Sequence, residues 1–122
     1  MTLQELYEKI GGDYQSAQKI MMMDAIIARM IVKYLDDRSC AALSAASEAL
    51  DPGEMFASAH DLKGVSANLG LKEIYTRTCI LSDEFRAGKP RTMTDEQVRD
   101  LVREVILLDQ QARDGIGEFA GQ

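Results

Sequence analysis

His60 is the only histidine in a chain of 122 residues, and Lys63 and Gly64 follow it at i+3 and i+4. On a helix these positions are neighbours. A neutral imidazole is a nitrogen nucleophile near neutral pH, and an ammonium one turn away can reach an anion carried on that ring. A glycine inside a helix costs about 0.5–1 kcal/mol relative to alanine. The benefit of the missing side chain is that another protein's backbone can approach the histidine. Nucleophile, charge partner and open approach together suit phosphoryl transfer. A lone histidine on a helix is more often an ordinary surface or core residue, and the HxxK spacing by itself does not separate the two. A Gly64 that ended a helix would carry no cost at all.

The element that must hold these residues reads EMFASAHDLKGVSANL from Glu54 to Leu69. Phe56, Ala59, Leu62, Ser66 and Leu69 form a stripe suited to a core, with Met55 and Val65 at its edges. His60, Lys63, Gly64 and Ala67 form a neighbouring stripe that points at least partly to water. Asp51 is placed to cap this helix, with Pro52 at its first position. Gly70 is placed to end it in a left-handed cap. The apolar stripe continues past Gly64, which argues for a mid-helix glycine.

The rest of the chain reads as further helices. A short one spans Leu3 to Ile10 and stops at Gly11-Gly12. Asp13 or Ser16 can cap a long one from about Ala17 to Leu35, with Ile20, Met23, Ile27, Met30, Ile31, Tyr34 and Leu35 as its apolar stripe. Ser39 is a candidate cap for a shorter helix through Leu50. Leu71 opens another that closes near Gly88. Thr94 with Gln97 matches a capping box, and the last helix carries Val98 to Ile116 before a flexible, Gly-rich tail at about 117–122. No segment alternates with period two. The prediction is all-α: one domain over 1–122, an antiparallel four-helix bundle with one or two additional short helices, and His60 on an exposed face of a central helix.

Composition narrows the function classes. Fourteen Lys and Arg against 20 Asp and Glu give a net charge of −6, which disfavours non-specific binding to nucleic acid or anionic lipid. The longest apolar stretch, Ile20 to Leu35, is interrupted by Asp24, Arg29 and Lys33 and is too short to cross a bilayer. The opening residues lack the apolar segment of a secretion signal. Cys40 and Cys79 lie far apart with no CxxC or metal-type spacing, so packed, reduced thiols and a cytoplasmic location are expected. A metal- or haem-binding bundle needs several inward-facing ligands. One histidine cannot supply them, so no metal site is expected.

Ala59-His60-Asp61-Leu62-Lys63-Gly64, followed by Leu69-Gly70, resembles the histidine-containing phosphotransfer (HPt) domain, whose pattern is A-H-x-L-K-G, a few variable residues, then an apolar residue and glycine. Tyr34-Leu35-Asp36-Asp37, Leu43 and Ala49-Leu50-Asp51 are similar to the family's stretch upstream of the histidine. Leu81 to Gly88 is similar to the helix after it. The likeness covers roughly residues 15 to 117, but only the motif at 59–70 is specific. Asp61 departs mildly, since a small hydroxyl residue is common there.

The resemblance implies a phosphocarrier in a two-component phosphorelay. His60 would accept the phosphoryl group on its outer ring nitrogen, Lys63 would steady it, Gly64 would give the partner clearance, and Gly70 would close the helix. The partners would be receiver domains of response regulators, with a hybrid sensor kinase as a further candidate. The chain would act as a monomer without cofactor or kinase activity of its own, because Mg²⁺ belongs to the receiver. Met1 and complete helices favour a stand-alone protein over an excised domain. Docking is expected from the His60 stripe with Met21, Met22, Ile26 and Ala67, methionine being adaptable at such surfaces. Met23 is expected to fill core. Lys72, Arg77, Arg86 and Lys89 are candidates for a basic rim. The alternative is a helical adaptor that docks receiver or kinase domains without phosphotransfer; intact His60, Lys63 and Gly64 argue against it.

Overall fold

The computed structural model describes residues 1–122, and every regular element in it is helical. In chain order these are α1 (Leu3–Lys9), α2 (Tyr14–Met21), α3 (Asp24–Lys33), a 3-10 turn (Tyr34–Asp36), α4 (Ser39–Ala49), α5 (Pro52–Leu69), α6 (Lys72–Glu84) and α7 (Asp95–Ala120). No helix is long and apolar enough to cross a membrane. α5 packs chiefly on α6 and α4, α7 packs on both α4 and α6, and α5 also meets α2 and α3. Met55, Ala59, Leu62 and Leu69 of α5 join Ile27, Ile31, Leu43, Leu81, Val98, Val102 and Ile116 in one buried cluster.

The boundaries of α5 have local causes. The Asp51 carboxylate accepts the Glu54 amide at 3.0 Å, and Pro52 opens the helix. At the other end Gly70 has φ +70°, and a Cβ there would lie 2.4 Å from the Asp13 carbonyl oxygen. Only glycine meets both demands. The Asp13 amide donates to the Gly70 carbonyl at 2.7 Å, and the buried Tyr7 hydroxyl donates to the Leu69 carbonyl at 2.7 Å. The α1–α2 connection is thereby fastened to the end of the helix that carries His60.

Two further fasteners fix the helices around α5. Tyr34 donates its hydroxyl to Asp109 of α7, and Arg113 binds Asp109 at 2.9 Å while donating to the carbonyls of Leu35 and Asp37. Burial, with Asp109 alongside, pushes the Cys40 thiol up to about 12. Between α6 and α7, the buried Glu84 carboxylate accepts the amides of Thr92 and Met93, the Thr92 hydroxyl and the Arg91 guanidinium. Burial alone raises a carboxyl's pKa, but these donors hold Glu84 down at about 2.

Five expectations need correction. The long helix from Ala17 to Leu35 is interrupted at Met22, whose φ of +68° ends α2, and the Met23 amide turns back to the Met21 carbonyl at 2.8 Å. Tyr14 donates to Asp24 across this corner at 2.6 Å, so side-chain bonding and core shape override a stripe that read as continuous. Ile20 and Met23 are therefore 51% and 58% exposed, and Met23 fills no core. The start of α4 is bonded by Asp37, which accepts the Ser39 amide and hydroxyl, rather than by Ser39 as cap. In α5 the core and edge roles are exchanged: Met55 is fully buried and Phe56 half-buried, because α4 and α6 flank the helix asymmetrically. Lastly, α7 runs through Gly115 and Gly117 to Ala120, so the expected tail is helical up to that residue, with Gly115 buried against Ile10.

Candidate functional site

The imidazole of His60 is exposed midway along α5, as its stripe predicts. Its ring stacks on Phe56, with centroids 5.4 Å apart and planes 13° apart. Residues four apart on a helix face one another, which is why the pair meets. Lys63, half-buried, lines the same shallow cleft of about 200 Å³, and the far wall is built by Cys79, Ser82 and Asp83 of α6 with Arg86 just past its end. The early part of α5 faces the late part of α6, so the two helices run antiparallel.

Gly64 lies inside α5 and is exposed, and beyond its chain neighbours and the helix's own backbone nothing comes within 4 Å of where a Cβ would stand. The alternative in which it ends the helix is thereby removed. Gly70, in contrast, is the buried cap described above.

The cleft carries two cations, Lys63 and Arg86, against one acid, Asp83. Asp83 is shared: Lys89 binds it at 2.8 Å and Arg86 at 3.0 Å, and together they hold its carboxyl below the usual range. Of the four cations expected at the rim, only Arg86 lines the cleft. Lys89 stands behind Asp83, Arg77 is engaged by Glu73 and Glu104 at 3.0 and 3.2 Å, and Lys72 is exposed beside a separate hollow.

The expected docking residues do not form one patch with His60. Met21 and Ile26 line an apolar groove of about 500 Å³ between α2, α3 and α5, together with Ile20, Met30 and Val65. Val65 lies well round the helix from His60. Met22 projects from the α2–α3 corner, 83% exposed. Ala67 borders the hollow that also holds Asp13, Ile20 and Lys72. A larger polar cleft of about 410 Å³ at the start of α4 includes Asp37, Asp109 and Arg113, whose polar groups already bond to one another.

Sequence reasoning placed Phe56 in the core stripe and missed its contact with His60, although the i,i+4 spacing contained the signal. Cys79, Ser82 and Asp83 gave none. Their place opposite His60 depends on how α6 turns back over α5, which no local pattern encodes.

No family model, curated protein or solved structure matches this chain.

Proposed function

We propose that this chain is a histidine phosphotransfer protein, a phosphocarrier that takes a phosphoryl group from a receiver aspartate onto His60 and passes it to another receiver. The observation that carries this reading is the surface of α5: an exposed imidazole, a lysine in its cleft, and an empty space at Gly64. The resemblance at residues 59–70 points the same way.

In this reading the outer ring nitrogen of neutral His60 attacks phosphorus in the receiver's aspartyl phosphate. An N–P bond forms as the acyl O–P bond breaks, and the electron pair leaves on the receiver's carboxylate. The ring proton stays on the inner nitrogen. Lys63 and Arg86 offset charge on the transferring group. Transfer onward is the reverse step on a second receiver. The chain contributes nucleophile and orientation; Mg²⁺ remains the receiver's. It neither phosphorylates itself nor holds a cofactor.

The receiver docks over Gly64, where its backbone meets no side chain. Arg86 adds a basic contact in the same cleft. The fold we read here is an antiparallel four-helix bundle. Its support is the cycle of packed pairs α4–α5, α5–α6, α6–α7 and α7–α4, with α1 to α3 as additions.

Incubation with a receiver phosphorylated on aspartate tests the reading. The chain should acquire acid-labile, alkali-stable phosphate, and His60→Gln should melt normally and acquire none. Equal labelling of the variant would defeat the proposal. Binding of receivers without labelling would make the chain an adaptor.

A further inference from the structure

Helical side chains lean towards the N-terminus of their helix, over the residue about four positions earlier. For His60 that residue is Phe56, and the two rings are nearly parallel, 13° apart. Four positions the other way stands Gly64, with open space where a Cβ would be. The imidazole therefore has a wall on one side and a void on the other. The wall is anchored, because Phe56 is half-buried and packed against the core.

An exposed side chain ordinarily exchanges among staggered wells. A flat aromatic surface beneath the imidazole favours the orientations that lie on it. The nitrogen lone pair lies in the plane of its ring, so a ring held face-down on Phe56 offers its edge, and with it the nucleophilic electrons, to an incoming donor. Burial of that face also leaves fewer unproductive approaches.

We infer that Phe56 is a positioning residue for His60, holding the imidazole edge-outward for phosphoryl transfer. The inference rests on the phosphocarrier reading. Phe56 does not touch the reacting phosphorus; it acts through the orientation of the ring.

The test compares Phe56→Leu, which keeps apolar contact with the core, and Phe56→Tyr, which keeps the ring. Phe56→Met serves as a second non-aromatic variant if the leucine form melts early. His60 is the sole histidine, so its ring proton NMR signals are assigned without ambiguity. An upfield ring-current shift is expected in the unmutated chain and in Phe56→Tyr, and its loss in Phe56→Leu. Transfer should slow about five- to tenfold in Phe56→Leu, the scale of one aromatic pairing, and recover to within about twofold in Phe56→Tyr. The loss should be the same with phosphoramidate as with a phosphorylated receiver, since orientation acts on the ring and not on docking. Unchanged histidine signals in Phe56→Leu, or unchanged transfer, would overturn the inference. A loss confined to the receiver donor would also overturn it, by making Phe56 a docking contact. If the unmutated chain takes phosphate from neither donor, the phosphocarrier reading falls, and the ring signals still decide whether Phe56 orients His60.

Discussion

Gly64 stands one helical turn beyond His60 on α5, and beyond its chain neighbours and the backbone of α5 itself no atom lies within 4 Å of the point its Cβ would occupy. The void costs helix stability without serving any internal contact. Gly64→Ala should therefore stabilise the chain by up to about 1 kcal/mol, since alanine restricts the unfolded state and fits the helix. Gly64→Gln should be nearly as stable. Transfer from a receiver should move the opposite way, falling modestly with Ala and severely with Gln, while small phosphodonors discriminate little. Thermal melts beside a transfer assay check both halves, and destabilisation by both variants with full transfer would sink the docking role.

Lys63→Ala should slow transfer about two- to fivefold without abolishing it, because a half-exposed cation contributes about 0.5–1 kcal/mol. Arg86 shares the cleft, so the Lys63→Ala, Arg86→Ala double variant should be slower than either single one. Rate constants from a double-variant cycle measure this. Complete loss in Lys63→Ala with a normal melt would place the lysine in a dry interface instead.

Glu84 binds the connection between α6 and α7 with a carboxyl held at about 2, below its ordinary value near 4.5. Because the folded value is depressed, its stabilisation is present above the unfolded value and is lost as pH falls from about 4.5 towards 2. Glu84→Gln should destabilise the chain at pH 7 by about 1–3 kcal/mol, the cost of weakening several buried hydrogen bonds to a charged group. It should also flatten the pH dependence of the melting temperature in that acid window. A variant with an unchanged acid slope would show that other carboxylates carry the effect.

Met22 combines φ of +68° with 83% exposure at the α2–α3 corner. A side chain in that backbone region is strained and gains nothing here from burial. Met22→Gly should raise stability by about 0.5–1 kcal/mol, with the helix content by circular dichroism unchanged. A destabilised glycine variant would mean that the methionine side chain supports the corner.

The sequence by itself determined the helices with strong end signals, and it determined the site's stripe. Asp51-Pro52 and Gly70 bound α5, and Thr94 with Gln97 opens α7, because caps and left-handed turns are settled within a few residues. That His60 and Gly64 share one face of α5 follows from a period set by helix geometry alone. Tertiary structure decided what depends on distant partners. Ile20 and Met23 matched the apolar stripe of their segment, yet the break at Met22 turns them to solvent. Met55 took the core place that Phe56 was expected to fill, which freed Phe56 to stack on His60. The wall of Cys79, Ser82, Asp83 and Arg86 exists only because α6 folds back antiparallel on α5. Periodicity tells which residues share a face, but the direction a face points is set by packing against elements far along the chain.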